Sequence, residues 1–459
     1  MPHPNLLFVF SDQQRRHALG FMHEDPVRTP HLDDFAAESA VCINAVACCP
    51  ICTPNRSIIL TGRYPTRTGV FANDHGLQPG TPTIGDYLQA AGYWTGYVGK
   101  WHIHDGGNFV PRSRRAGFDF WHATNCNHET FTRIYWEEDP QPVVNEMGWQ
   151  PPHETSVAIE KIRHRPKDRP FALFLSWTPP HNTHGPGFTR HPDVAVPADF
   201  ADEMRAADYP LEMQYHAPGA YVERFANQTL SRRGNVADDY AREALPGYFG
   251  ACESLDHEFG RLLAVLDEEG LSEDTIVVYT SDHGEMLGSH GRIQKSVWFE
   301  ESIGVPLLVR WPRHIRPAQH SFVFSSLDWA RTLLGLVDAS LPSAGLDGGN
   351  HSAALLSASS SSSRESDEGL LCYFAMRRTQ MEESPAGAAV GWRALRTGQH
   401  TYVVKRDRLT GSLEYLLYDL AADPLQMNPR CGGAPLDRSM HTRQRNQLGR
   451  VDDPFIALL

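Results

Sequence analysis

Five short segments of the chain are almost continuously apolar and rich in β-formers: 6–10, 94–98, 171–177, 275–280 and 305–309. Runs of this length without polar alternation predict strands buried on both faces. Between them the period changes. Residues 85–91 read as a helix stopped by Gly92, and 248–266 place Ala251, Leu255, Phe259, Leu262 and Leu266 on one helical face, with Gly270 beyond the end. Strands alternating with helices predict an α/β fold, a large mixed and mainly parallel sheet sandwiched by helices. A run of serines at 357–363 is the clearest break in the pattern. It predicts a catalytic-sized α/β domain over 1–356, a linker over 357–369 and a smaller C-terminal α+β subdomain over 370–459. The last contains strand candidates at 401–404 and 415–418, read as an antiparallel sheet. Residues 182–245, rich in Pro, His and charge, read as an excursion over the surface near the strand ends.

The polar residues that follow the apolar runs change the picture. The first run enters Ser11-Asp12-Gln13, and the second Gly99-Lys100-Trp101-His102. The third enters Pro179-Pro180-His181, and the fourth Ser281-Asp282-His283. Exposed loops are polar in any protein, so one such segment says little. Four of them bring acids, a lysine and imidazoles to the carboxyl edge of one sheet, the edge where open α/β sheets bind ligands.

Composition narrows the class. The 459 residues carry a formal net charge of −13, with 41 % hydrophobic and 21 % charged residues, ordinary for a globular enzyme. No basic stripe is present, which argues against nucleic acid as a partner. No apolar run is long enough to span a bilayer, and MPHPNLLFVF lacks the features of a signal peptide, so a cytoplasmic location is expected. Eight cysteines, four of them between Cys42 and Cys52, show no zinc spacing and suggest a reducing compartment without a disulfide framework.

The segment CTPNRSIILTGR, 52–63, reads as a helix with Thr53 as N-cap, Pro54 in first position and Gly62 at the C-terminal stop. Cys52 then stands before a helix N-terminus, where free backbone N–H groups favour an anion, and Arg56 can point back at the same place. Without further context, such a cysteine is as readily a buried, inert one.

Together these residues resemble the type I sulfatases of the alkaline-phosphatase superfamily. The resemblance rests on CTPNRSIILTGRYP, GKWH, PPHNTH and SDHGEMLGSHGRIQKSVWFEESIGVPLLVR, in the expected order, and on GWRALRTGQHTYVV with LYDLAADPLQMN in the C-terminal part. It implies an alkaline-phosphatase-like fold and hydrolysis of sulfuric esters. It implies that a separate maturation enzyme oxidises Cys52 to formylglycine, whose hydrate attacks sulfur and then expels sulfate through its second hydroxyl. The metal ligands it implies are Asp12, Gln13, Asp282, His283 and the modified Cys52, for Ca²⁺ in preference to Mg²⁺. Many relatives carry Asp where Gln13 stands and Asn where His283 stands, so Mn²⁺ is also admitted. Arg56, Lys100 and Lys295 would neutralise the sulfate oxygens, His102 would serve as base, and His181 would protonate the leaving oxygen. His184 competes with His181 for that last role. Asn73 and His290 fit substrate-side contexts, and each also has a purely structural reading.

Two alternatives remain at this point. Relatives with the Gln13 and His283 pattern include phosphonate monoester and phosphodiester hydrolases, and an unmodified Cys52 would suit a non-catalytic binder of sulfated glycans. The expected substrate is a sulfated carbohydrate, with aryl sulfates as surrogates. Trp101, Trp121, Tyr135, Trp136 and Trp149 either stack on sugar rings or belong to the core.

Overall fold

The computed structural model describes residues 3–184, 213–215, 217, 219–222, 238–340, 342, 345–357, 368–375, 390–407 and 409–459. Its main sheet uses β1 (Asn5–Asp12), β2 (Ala40–Val46), β3 (Trp94–Lys100) and β4 (Phe120–Thr124). Two small two-stranded sheets follow, β5 (Thr132–Tyr135) with β6 (Val144–Met147) and, after β7 (Phe171–Pro180), β8 (Thr183–His184) with β9 (Met213–Gln214). The sheet is completed by β10 (Thr275–Ser281), β11 (Leu307–Arg310) and β12 (Ala318–Ser325). Its order is β12-β2-β11-β10-β1-β7-β3-β4, and β11 alone runs against its neighbours. The mixed, mainly parallel sheet read from the apolar runs is therefore present.

Alternation along β1 shows how the layers form. Leu6, Phe8 and Phe10 join a core covered by the helices Ile84–Ala90 and Trp329–Leu336. Leu7 and Val9 join a second core, with Leu255, Phe259 and Leu262 from the helix Asp238–Glu268 and with Leu32 and Phe35 from α1 (Pro30–Ala37). The face predicted for 248–266 is buried throughout. The fifth strand starts at Leu307 rather than at 305, because Pro306 has no N–H to give a ladder. Strands β2, β4 and β12 were not legible as apolar runs. Each is short or mixes polar residues with buried ones, and β4 and β12 lie at the sheet's two edges.

A second sheet of five antiparallel strands runs in chain order through β13 (Glu368–Tyr373), β14 (Gly391–Thr397), β15 (His400–Arg406), β16 (Leu413–Asp419) and β17 (Arg430–Gly432). It contains both strand candidates of the C-terminal part. Leu371, Trp392, Ala394 and Val403 pack against Val46, Ile303 and Val323, so the small sheet shares a core with the edge of the large one. Of the serine-rich segment, 358–367 lie outside the described residues, as does most of 182–245.

The five aromatic residues raised as a sugar platform are core. Trp101, Trp121 and Tyr135 are at most 1 % exposed, and Trp136 and Trp149 are buried too. Trp101 packs edge-on against Tyr97 and Trp121, with ring centroids 4.8 and 5.0 Å away, while Trp149 Nε1 donates to Ser254 Oγ at 2.8 Å. Among the described residues no helix is long and apolar enough to cross a membrane. All eight cysteines are free.

Candidate active site

Register brings the two acids together. Ser11 of β1 pairs with Ser281 of β10, so Asp12 and Asp282 leave the sheet side by side, both fully buried. Arg56 lies between them. Its Nε donates to Asp282 Oδ2 at 2.8 Å and its Nη2 to Asp12 Oδ2 at 3.1 Å, while Nη1 reaches the Lys100 carbonyl (2.9 Å) and Ser176 Oγ (2.8 Å). Lys100 Nζ donates to the same Asp12 oxygen. Burial pushes the Asp12 carboxyl up, but Lys100, His181 and Arg56 outweigh it and hold it well below its ordinary value.

Four of the Arg56 donors are engaged behind the acids and the residue is 1 % exposed, so it orients these carboxylates.

The helix that carries Arg56, α2 (Cys52–Thr61), is buried at every residue. It begins two residues earlier than a Thr53 cap would place it, with extended Ile51 as N-cap and Cys52 as the first helical residue. The Thr53 N–H that a cap would satisfy donates instead to Asn73 Oδ1 at 3.0 Å. Asn73 is therefore a support of the helix start. Pro54 is tolerated because first-turn N–H groups have no partner within the helix. Gly62, at φ 62°, closes the other end with its N–H on the Ile58 carbonyl, as expected.

Cys52 Sγ lies 3.2 Å from His283 Nε2 and 3.8 Å from Asp12 Oδ1. Burial and Asp12 push this thiol up, yet Lys295, Lys100 and His283 outweigh them and the net shift is downward. His283 Nδ1 is 3.0 Å from the Gly284 carbonyl, which fixes the proton there and turns Nε2 towards the acids, 3.6 Å from Asp12 Oδ1 and 3.6 Å from Asp282 Oδ1. One donor atom from each of Asp12, Cys52, Asp282 and His283 lies within 4.8 Å of the others, all buried. The outer carboxylate oxygens face Arg56 and Lys100, and the inner ones converge with His283 Nε2. That donor set fits a divalent cation. Gln13 sits beside it at φ 71°, its N–H donating to Asp282 Oδ1 at 3.0 Å, and its carboxamide oxygen accepts from Lys295 Nζ.

Opposite the acids stands a wall of lysines and imidazoles. Lys295 Nζ donates to His181 Nε2 at 2.9 Å, and Lys100 Nζ to His128 Nε2 at 2.9 Å. The two rings stack with centroids 4.1 Å apart and 3° between planes. Burial, then Lys295 and His128, lower His181 well below its ordinary value, and burial, Lys100 and His128 do the same to His102. Both are neutral imidazoles near neutral pH. His102 is buried, and its Nδ1 has no hydrogen-bond partner among the described residues.

His128 was missed from the sequence. It follows β4, and the strand-end logic that found the other residues would have found it had β4 been recognised. Glu285 was also missed. Its Oε2 accepts from Gln13 Nε2 at 2.5 Å and its Oε1 from the N–H groups of Leu287 and Gln294, which folds the loop back to deliver Lys295. Of the substrate-side candidates, His290 stacks on Phe299 at 3.9 Å and lies 3.8 Å from Glu301, a structural setting. The side chain of His184 lies outside the described residues.

Lys100 is placed from behind by a close approach. Gly99 has φ 98°, and a Cβ there would meet the Ser176 carbonyl oxygen at 2.1 Å, so only glycine fits. Beneath it Glu154 is fully buried. One carboxyl oxygen accepts from Tyr135 OH at 2.8 Å, and the other has no partner among the described residues. Burial, only partly offset by that hydrogen bond, pushes its pKa from 4.5 up to about 8. Between these values the unfolded chain ionises Glu154 and the folded chain does not, so its effect on stability turns unfavourable as pH rises, by up to about 1.4 kcal/mol per pH unit. Glu154→Gln should therefore gain stability over the parent as pH is raised from 5 to 8. Urea midpoints at the two pH values check this, and an unchanged difference between the proteins would refute it.

A sheet edge that presents paired carboxylates, a helix-borne cysteine and two lysines defines a hydrolase of anionic esters. The sulfatase family model matches residues 4–339, and the chain belongs to that family, the sulfuric ester hydrolases. A second model, N-sulphoglucosamine sulphohydrolase C-terminal, matches 288–450. The chain is 31 % identical to an ulvan-active sulfatase of Formosa agariphila, over 98 % of this chain and 82 % of that one. It superposes with a TM-score of 0.84 and 26 % identity on a solved structure from glycosaminoglycan metabolism in Bacteroides thetaiotaomicron, covering 99 % of this chain and 98 % of the other. A phosphonate monoester hydrolase of Agrobacterium radiobacter shares the fold, with a TM-score of 0.66 at 21 % identity, over 99 % and 96 % of the two chains.

Proposed function

We propose that this sulfatase removes sulfate from a sulfated carbohydrate, using a formylglycine made from Cys52 and a divalent cation, Ca²⁺ in preference to Mg²⁺ or Mn²⁺. The observation that carries the proposal is the position of Cys52: first residue of a buried helix, 3.2 Å from His283 and 3.8 Å from Asp12. Asp12, Asp282, His283 and residue 52 would hold the cation, with Gln13 at its margin. When present, the hydrated aldehyde would supply an attacking oxygen and a second hydroxyl through which sulfate could leave, and the cation would lower the pKa of the attacking oxygen.

The chain's own residues do the rest. Lys100 and Lys295 neutralise the sulfate oxygens, each giving up a hydrogen bond to a histidine when substrate arrives. His102, neutral and with an unpartnered ring nitrogen, accepts the proton that the second hydroxyl must lose. At rest His181 accepts from Lys295 at Nε2, so the proton for the leaving oxygen is held by the Lys295–His181 pair. His181→Ala should slow hydrolysis of a sugar sulfate at least ten times more than that of a nitrophenyl sulfate, whose leaving group needs no proton. Equal losses on both would remove His181 from that role.

The carbohydrate part is supported by the relatives, one ulvan-active and one from glycosaminoglycan metabolism. A maturation enzyme is a required partner. Co-expression with it, followed by the mass of the peptide spanning Cys52, tests the nucleophile, and a persisting thiol in turnover-competent protein would overturn it. Comparing aryl sulfate with aryl phosphonate tests the reacting centre, and preference for phosphonate would reverse the assignment to sulfate.

A further inference from the structure

Beside the acid pair lies a second cluster with different donors. One ligand atom from each of His102, Cys126 and His128 lies within 4.8 Å of the others. Cys126 Sγ is 3.5 Å from His128 Nε2, the separation that one tetrahedral zinc ion imposes, since bonds of about 2.3 Å to sulfur and about 2.0 Å to nitrogen put the two ligands roughly 3.5 Å apart. The backbone around the cluster is tied in place. Trp101 N–H and His102 N–H donate to the carbonyls of Thr124 and Asn125, and the Asn125 carboxamide bridges His104 and Gly106. Asn108 Oδ1 accepts from Cys126 N–H at 3.1 Å, and Asn127 Oδ1 accepts from Glu129 N–H at 3.0 Å, which orients His128. Cys126 is half-buried and so reachable from solvent.

We infer that His102, Cys126 and His128 form an inhibitory site for a thiolate-preferring divalent cation, Zn²⁺ above all, distinct from the oxygen-rich site at Asp12 and Asp282. One thiolate with two imidazoles matches zinc and disfavours calcium, so the two sites sort the two metals by ligand softness. On binding, the Cys126 thiol proton passes to solvent, and Lys100 Nζ leaves His128 for Asp12, with which it is already paired. The consequence for turnover rests on the proposed function: zinc takes a ring nitrogen of His102, the base of that scheme, and turnover stops.

The test uses the calcium-loaded enzyme with Cys52 fully converted, titrated with Zn²⁺ alone and, in parallel, with Co²⁺ as a spectroscopic probe. One further equivalent should bind per chain, with a sulfur-to-cobalt charge-transfer band and at least a ten-fold loss of turnover. Cys126→Ser, and Cys126→Ala should serine supply an oxygen ligand, should keep basal turnover within two-fold, remove the band and weaken zinc binding by more than about 100-fold, since second-shell losses alone cost 10–100-fold. Binding and inhibition unchanged in both variants would place the zinc at the acid pair and overturn the inference, as would the absence of the band in the parent. Zinc bound through Cys126 without loss of turnover would overturn the inhibitory role and, with it, His102 as the base, leaving only a zinc site.

Discussion

Replacing Cys52 with alanine is expected to lower sulfate-ester turnover by at least about 10⁴-fold, the scale on which removal of a covalent nucleophile is felt. The loss should not come from unfolding. Cys52 makes no backbone-replacing contact, and α2 is held by Asn73 at its start, by Gly62 at its end and by burial along its length. Thermal unfolding of Cys52→Ala should stay close to that of the parent. The serine variant is more informative. A serine hydroxyl can attack sulfur, but it has no second hydroxyl through which to expel sulfate, so Cys52→Ser should stop after one event and retain a sulfuryl group. Intact-protein mass after exposure to an aryl sulfate reads this directly. Repeated turnover by Cys52→Ser near the parent rate would end the diol mechanism.

The second large effect concerns stability. Arg56→Met should destabilise the fold by about 3–5 kcal/mol, because it removes the buried cation paired with Asp282 and leaves Asp12 to Lys100 alone. Both acids are fully buried and Arg56 is 1 % exposed, so solvent screening offers little relief. A divalent cation should restore part of the loss, since it neutralises the same carboxylates from their inner oxygens, and calcium should therefore raise the denaturation midpoint of the variant more than that of the parent. Arg56→Lys should rescue poorly. One ammonium cannot reach Asp12, Asp282, Ser176 and the Lys100 carbonyl at once. A denaturation midpoint for Arg56→Met equal to the parent's would refute the positioning role. A change confined to the KM for sulfate ester would return Arg56 to the substrate.

Some of this was legible in the chain. An apolar run reports burial of its own segment, so the strands around 6–10, 94–98, 171–177 and 275–280 could be read locally, and with them the acids, lysine and histidines that follow. The stop at Gly62 was legible for a similar reason, since a left-handed cap needs little beyond the glycine itself. β4 was not. Its FWHAT sequence alternates too briefly to signal a strand, and with it went the reason to place His128 in the site. The aromatic residues show the opposite failure. A tryptophan has the same letters whether it lines a cleft or a core, and only packing against Tyr97 and Ser254 decides.

The sequence by itself determined which chemical groups leave the carboxyl edge of the sheet and that a cysteine stands at the start of a helix among them. Tertiary structure alone decided how those groups share one another. Asp12 lies 44 residues from Arg56 and 88 from Lys100, and Gln13 lies 269 from Asp282, to which its N–H donates. Which cation faces which oxygen is set by the β1–β10 register and the entry of α2, distances that no local periodicity encodes. If residue 52 in the folded protein stood out of reach of that carboxylate pair, the chemistry argued for it would have no place to occur.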